Sequence, residues 1–431
     1  MKKLFLVIFI TIFLVNLIFS KVNFDFTFSP SIIIKNYEID EVPDGNDILG
    51  WEMYDYLPPF FEIKYSASFS ENDLFFISVP IIPDASIFYL ESNSSNNLPL
   101  SKNYSFQPDS NIPYEAFFEF SNGFYDFSMG RRRLKWGEGM YSLGINDRVP
   151  NMDHIMFSLD WDTKLGDFGY EYILASPHPK AANRKKTFVT RKLSLDLFSS
   201  LLLEVGEIAL IYTPDLTFVD INPFLVYHNI YESDSNVVGY LSSTFKIQDY
   251  TLYSEFLLDQ YQLSTEPSDS DPNAYGFMIG GKKKVNELIL GTEFYKTSTW
   301  LYNKNENYKD LTYPLWRNLE APMGSVTIDY FLGFPCGPDS ELTRFFIEGK
   351  KFGISYEHLL QGEVDINTPY TKENFKKYSE KGPVGETKVE NIWRGHLKLG
   401  NNPTFLCQAL LRNKDLWLFL GFEYDFSLLI P

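Results

Sequence analysis

The densest concentration of chemically capable side chains is the run Gly130-Arg131-Arg132-Arg133-Leu134-Lys135-Trp136-Gly137-Glu138-Gly139. It packs four cations into five positions and follows them with an indole. Guanidinium forks match carboxylates in pairs of hydrogen bonds, and an aromatic ring offers a flat face to a sugar. Arg131, Arg133 and Trp136 are therefore candidates for holding an acidic glycan. The same residues also admit an architectural reading. Arginines facing a polar interior would pair with carboxylates there, and the glycines would let the backbone turn inward. Glu255 and Asp259 sit on one face of an alternating segment with Thr251 and Tyr253, which suits a polar interior network equally well. Trp316 and Arg317 belong to a long aromatic stretch with Trp300, Tyr302 and Tyr313, fit either for a sugar platform or for a loop folded into a pore.

Nothing points to a reaction. His154, His178, His228, His358 and His396 show no metal-ligand spacing and no zinc-site pairing with cysteine. There is no Gly-x-Ser-x-Gly elbow, phosphate loop or dinucleotide fingerprint. The expectation is a protein with no catalytic residues, no metal and no cofactor.

The elements that must position these residues begin after a leader. Lys2 and Lys3 precede an apolar stretch, Leu4 to Phe19, broken only by Thr11 and Asn16 and closed by the small Ser20. Positive start, apolar run and small residue predict a cleaved signal peptide over 1–20, followed by one domain over 21–431. Loss of the two lysines takes the net charge from −18 to −20. So acidic a chain lacks the basic stripe needed to displace counterions from nucleic acid. Two cysteines, Cys336 and Cys407, are too few for a disulfide framework, and the sequence leaves their pairing open.

Composition and periodicity then converge. The chain carries 39 Phe, 28 Tyr and 7 Trp, while its mean hydropathy stays below zero. A membrane barrel needs aromatics at both water–lipid boundaries yet stays polar on average, because alternate residues face its interior. After the leader no apolar stretch is long enough for a helical span, so a closed barrel is the remaining way to satisfy a backbone in lipid. Period-two alternation recurs in segment after segment: Phe61, Ile63, Tyr65 and Ala67 oppose Glu62, Lys64 and Ser66, and Leu416 to Leu428 opposes Asp415, Gly421, Glu423 and Asp425. Counting such segments predicts an all-β fold, a transmembrane antiparallel β-barrel of about 18 strands (range 16–20). The count takes 325–332 as one strand and 114–130 as a strand or strand pair. Long polar connections fall near 91–113, 261–274, 297–324 and 362–390, with a helical turn or two in 371–380. Tight turns fall at Gly123, Asp147, Gly166 and Asn413-Lys414.

A resemblance adds to this. Gly130-Arg131, Trp136-Gly137-Glu138-Gly139, Ser142-Leu143, Asn146 and Pro150 match in order the signature of the Wzi-type capsule-assembly proteins, which are outer-membrane barrels. Asn222-Pro223-Phe224, His228-Asn229, Asn236, Gly239, Glu255 and Asp259 resemble the family's central region, and Gly337-Pro338-Asp339-Ser340 resembles a later one. The likeness covers roughly 114–361. The family usually carries a helical bundle before its barrel, whereas here Val22 to Phe28 already reads as strand. The final alternating segment resembles the terminal strand that barrel-assembly machinery recognises, although it ends Leu428-Leu429-Ile430-Pro431 instead of in Phe.

The resemblance implies an outer-membrane location, with lipid and an exported, capsule-like surface polysaccharide as partners. A general porin-type diffusion channel is the alternative. A soluble exported β-rich protein is the third reading, because one-sided alternation also fits a sheet with one wet face.

Overall fold

The computed structural model describes residues 21–36, 58–82, 94–97, 113–177, 185–213, 215–226, 235–261, 271–304, 310–318 and 325–430. The expected leader and most of 91–113 and 261–274 lie outside the described residues.

In chain order the strands begin with β1 (Lys21–Phe28), β2 (Ser31–Lys35), β3 (Phe61–Ser68), β4 (Asp73–Ile81), β5 (Ser94–Asn96), β6 (Glu115–Ser121) and β7 (Tyr125–Arg132). They continue with β8 (Met152–Asp162), β9 (Asp167–Ala175), β10 (Lys185–Leu197), β11 (Leu201–Thr213), β12 (Ser235–Ile247), β13 (Tyr250–Gln260), β14 (Ala274–Val285) and β15 (Leu288–Thr297). The last are β16 (Thr312–Asn318), β17 (Ser325–Phe331), β18 (Ser340–Gly349), β19 (Phe352–Gln361), β20 (Lys388–Gly400), β21 (Thr404–Arg412) and β22 (Asp415–Ile430). Eighteen of them, all but β2, β5, β16 and β17, form one antiparallel wall. It closes where β1 pairs with β3 on one side and β22 on the other, Phe26 opposite both Ile63 and Phe426. Closure leaves no strand edge for lipid to meet, which is the condition for a sheet in a bilayer.

The number of wall strands matches the expectation through two compensating differences. The 114–130 segment is two strands, β6 and β7, turning at Gly123. The 325–332 segment is not in the wall: β17 pairs only with β16, as a separate hairpin. Alternation could not distinguish them, because a hairpin with one buried face has the same period as a wall strand. The predicted helical turn is α1 (Lys372–Lys377), capped by the Thr371 hydroxyl on the Asn374 N–H.

Each wall strand sends alternate side chains inward and outward. In β13, Tyr253, Glu255, Leu257 and Asp259 are buried, while Leu252 and Phe256 are exposed on the outer surface. Short turns gather at one end of the barrel, and two of them place Phe198, Ser199 and Asn286 at positive φ. The longer connections gather at the other end, with Asn413-Lys414 the one tight turn among them. Asp147 is not a turn between neighbouring strands; it lies within the long connection from β7 to β8. The short-turn end is the periplasmic one by the usual asymmetry of such barrels.

Two of the connections run into the interior of the barrel. Residues 133–151, 298–304 and 332–339 fold inside the wall. Leu143, Ile145 and Phe334 from them join Ile208, Leu257 and Leu359 from the strands in one core.

Candidate functional site

The arginine–tryptophan run is where the wall gives way to this interior. Gly130 has φ +135°, and a methyl group there would stand 2.2 Å from the Ala116 carbonyl oxygen, so only glycine fits. Arg131 completes the strand. Its guanidinium donates to both carboxylate oxygens of Asp153 on β8, at 2.7 and 2.8 Å, and also to the Pro113 carbonyl. The pair is bidentate, the geometry in which a guanidinium grips a carboxylate most strongly. Arg132 bonds Glu119. Arg133 is exposed and donates to the Asp147 carbonyl at 3.2 Å.

From there the chain dives. Trp136 is buried, donating from Nε1 to Glu171 on β9 at 2.6 Å and packing on Tyr240 with ring centres 5.0 Å apart. Lys192 lies over its ring, 5.1 Å from the centroid, and also reaches Glu204 on β11 at 2.8 Å. Trp136 therefore presents no face to a ligand. The next turn is received by Glu255, which accepts from the Leu143 N–H at 2.7 Å and from the Ser142 hydroxyl at 2.9 Å. Gly137 (φ +74°) passes so close that a methyl group would sit 1.8 Å from Glu255 Oε1. Lys282 bonds Glu138 at 2.7 Å, and the Met140 N–H donates to Glu293 on β15 at 3.0 Å.

Sequence reasoning missed the strongest part of this arrangement. Arg344 on β18 stands directly across from Glu293 on one side and Glu357 on the other. It lies 3.2 Å from the first and 3.5 Å from the second. Arg394 on β20 reaches Glu357 at 3.1 Å, and the Tyr141 hydroxyl donates to the same carboxylate at 3.2 Å. Tyr253 and Tyr295 donate to the two oxygens of Glu293, at 2.7 and 2.9 Å. From Glu171 to Arg394, consecutive strands thus present a belt of charged groups to the inserted segment. The signal was available only as matched inward positions on neighbouring strands, which needs the register.

Asp259 lies higher on the same face as Glu255. It accepts from the Tyr302 N–H at 3.1 Å and meets Lys304 at 2.8 Å, fastening the 298–339 connection. Tyr302 in turn donates to the Leu143 carbonyl at 2.9 Å, joining both inserted segments. The β16–β17 hairpin crosses the mouth: the Tyr313 hydroxyl accepts from the Asp153 N–H at 3.0 Å, and Lys186 on β10 reaches the Thr312 hydroxyl at 2.9 Å. Tyr313 and Leu315 of that hairpin are buried, whereas Trp316 keeps 53 % of its surface exposed. Arg317 follows it on β16, opposite Val326.

The Gly337-Pro338-Asp339-Ser340 run is a loop organiser. Asp339 (φ +52°) accepts from the N–H groups of Val364 and Val384 at 3.1 and 3.0 Å. Burial raises its carboxyl to about 6, against the opposing effect of those bonds. Of the histidines, His178 and His228 lie outside the described residues. Among the described residues no group of side chains could hold a metal. Cys336 and Cys407 form no disulfide.

Seven predicted site residues thus divide. Trp136, Glu255 and Asp259 are interior fastenings, Arg131 braces the wall, Arg133 is exposed at the start of the inserted segment, and Trp316 and Arg317 stand on the hairpin over the mouth.

No protein-family model matches the chain, and no curated protein matches it by sequence. Among solved structures, it is similar to OprD of Pseudomonas aeruginosa (8 % identity, TM-score 0.43, 94 % of this chain and 95 % of that one). It is likewise similar to Pseudomonas aeruginosa OpdK with vanillate (7 % identity, TM-score 0.45, 94 % and 99 %). A further likeness is to Wzi, an outer-membrane protein involved in group 1 capsule assembly in Escherichia coli and a carbohydrate-binding β-barrel. That one has 13 % identity and a TM-score of 0.56, over 97 % of this chain and 87 % of the other. The resemblance read from short motifs is borne out in the fold: this chain is an outer-membrane β-barrel of 18 strands with the architecture of Wzi.

Proposed function

We propose that the protein is a non-enzymatic barrel that binds or organises an exported surface polysaccharide through its mouth. The observation that carries this reading is Trp316. It lies half-exposed on a hairpin whose Tyr313, Leu315, Ile328 and Tyr330 are buried and whose base is tied to β8 and β10. A fixed aromatic face set at the outer end of a membrane barrel is suited to stacking on a sugar ring. The filled interior supports the same reading, because two inserted segments occupy the path that a diffusing solute would take. The carbohydrate binding of Wzi fits it as well. Cleavage of a leader over 1–20 and delivery of β22 to the barrel-assembly machinery belong to this proposal.

The test is surface polysaccharide retained by cells. Deletion of the gene is expected to lower it, and Trp316→Ala is expected to reproduce that loss while the barrel keeps its heat-modifiable migration on gels. Unchanged retention in the deletion strain would remove the proposal. A diffusion channel is the second reading; it predicts steady conductance of the wild-type protein in planar bilayers.

A further inference from the structure

The outward face of the wall carries charges where lipid should be. Arg191 on β10 and Glu207 on β11 are directly opposed in register, 3.7 Å apart. Their inward neighbours are Lys192, bonded to Glu204, and the buried Ile208, so alternation sends this pair outward. They lie six residues above the short turn that Leu197 and Leu201 close. A strand rising about 3.4 Å per residue and tilted by about 40° climbs roughly 16 Å over that distance. The apolar band of such barrels is about 25 Å tall, so the pair falls inside it. Yet the two side chains are only 10 % and 13 % exposed.

The cover is the 215–226 segment. Outward-facing Tyr172, Val189, Ala209 and Ile211 form a small core on the outside of the wall, with Leu225 packed against it. Tyr172 and Tyr170 donate their hydroxyls to the carbonyls of Ile221 and Pro223, and Phe224 stacks over Tyr170. The segment satisfies part of its own backbone. The N–H groups of Asp220, Asn222 and Leu225 donate to Thr217, Val219 and Asn222 carbonyls, and those of Thr217 and Phe224 donate to the side chains of Asp220 and Asn222. Irregular backbone survives at membrane depth only when its polar groups are satisfied within the protein. Outward, the segment presents Phe218, Phe224 and Val226, which are 90 %, 80 % and 60 % exposed. Below it the exposed Leu193, Val205 and Leu241 of β10, β11 and β12 continue the same surface.

We infer that residues 215–226 form a clasp immersed in the outer leaflet, whose partner is lipid acyl chains and whose inner side shields the Arg191–Glu207 pair from them. Depth and continuity with the lipid-facing wall select hydrocarbon over a protein partner.

The experiment uses the full barrel in phospholipid vesicles, with Cys336→Ser and Cys407→Ala removing the native thiols. Nitroxides at Phe218→Cys and Phe224→Cys are compared with Leu241→Cys on the wall and Lys164→Cys in a short turn. The clasp labels are expected to match Leu241, colliding more with oxygen than with a water-soluble nickel chelate. Chelate-dominated collisions like those at Lys164 would overturn the inference. So would dipolar broadening between copies, which would assign the surface to a second barrel. In a second arm the clasp is replaced by a short Gly-Ser linker. The temperature of heat modification is expected to drop, and Arg191→Leu with Glu207→Leu is expected to restore it; no drop, or a drop without restoration, would also overturn the inference.

Discussion

Replacing Gly137 by Ala tests whether the 133–151 segment is held in the barrel by the contacts described. The residue has φ +74°, and adopting that conformation with a side chain costs about 1–2 kcal/mol. The new methyl group would meet Glu255 Oε1 at 1.8 Å and the carboxyl carbon at 2.8 Å, so the carboxylate must move. That carboxylate accepts from the Leu143 N–H and the Ser142 hydroxyl, both buried. Each buried donor left unsatisfied costs about 1–3 kcal/mol. With one or both lost, the inserted state is expected to weaken by about 2–8 kcal/mol together with the backbone cost. At about 1.4 kcal/mol per decade, the inserted-to-released ratio falls by more than tenfold and by up to roughly 500,000-fold. The wall does not depend on this residue, so heat-modifiable migration should survive. Release should appear as conductance in planar bilayers and as new trypsin cleavage at Arg133 or Lys135. Gly123→Ala is the control: its φ is +81°, but nothing lies within 4 Å of the added methyl. If Gly137→Ala matches Gly123→Ala in both conductance and cleavage, the account of the inserted segment is wrong.

Further outcomes follow from the same geometry. Trp136→Ala should cost about 3–5 kcal/mol in thermal or denaturant unfolding, through lost packing on Tyr240 and the unmatched Glu171, whereas Trp316→Ala should stay within about 0.5 kcal/mol. Arg344→Met should destabilise by about 3–5 kcal/mol because Glu293 and Glu357 both lose a buried partner, and the same unfolding assay reads it. Asp339 has a carboxyl raised in the folded state, so it favours the folded loops fully below its unfolded value, near 4. That contribution is lost as pH rises through about 6. Hydrogen-exchange protection of Val364 and Val384, corrected for intrinsic rate, should fall over this range, and Asp339→Asn should flatten the dependence.

The distribution of roles among the candidate residues shows where sequence reading reaches. Arg131 and Trp136 were identified by type and spacing as able to grip a sugar, and their chemistry is used. Arg131 does hold a carboxylate in a bidentate fork, but the carboxylate is Asp153 of the same wall. Trp136 does offer its face to a cation, but the cation is Lys192. Spacing along a chain says what a side chain can bind; it cannot say which partner reaches it first. Glu255 and Asp259 were placed correctly on one polar face, because period two survives in any register. Their partners Leu143 and Tyr302 lie 112 and 43 residues away along the chain, and no local pattern connects them.

What the amino-acid sequence determined by itself was the class of solution. Excess aromatics, repeated alternation and the want of a long apolar run after the first twenty residues leave a closed antiparallel wall in the outer membrane, because lipid offers a backbone no other escape. Only the tertiary structure decided what fills that wall. Arg344 becomes the centre of a charge belt because closure and register bring Glu293 and Glu357 to either side of it. The 325–332 segment leaves the wall because its strand pairs with β16 of the same connection, and Arg191 and Glu207 face outward under the cover of the 215–226 segment. Each of these outcomes depends on how strands are arranged around a closed ring, a property of the assembled wall and of no segment within it.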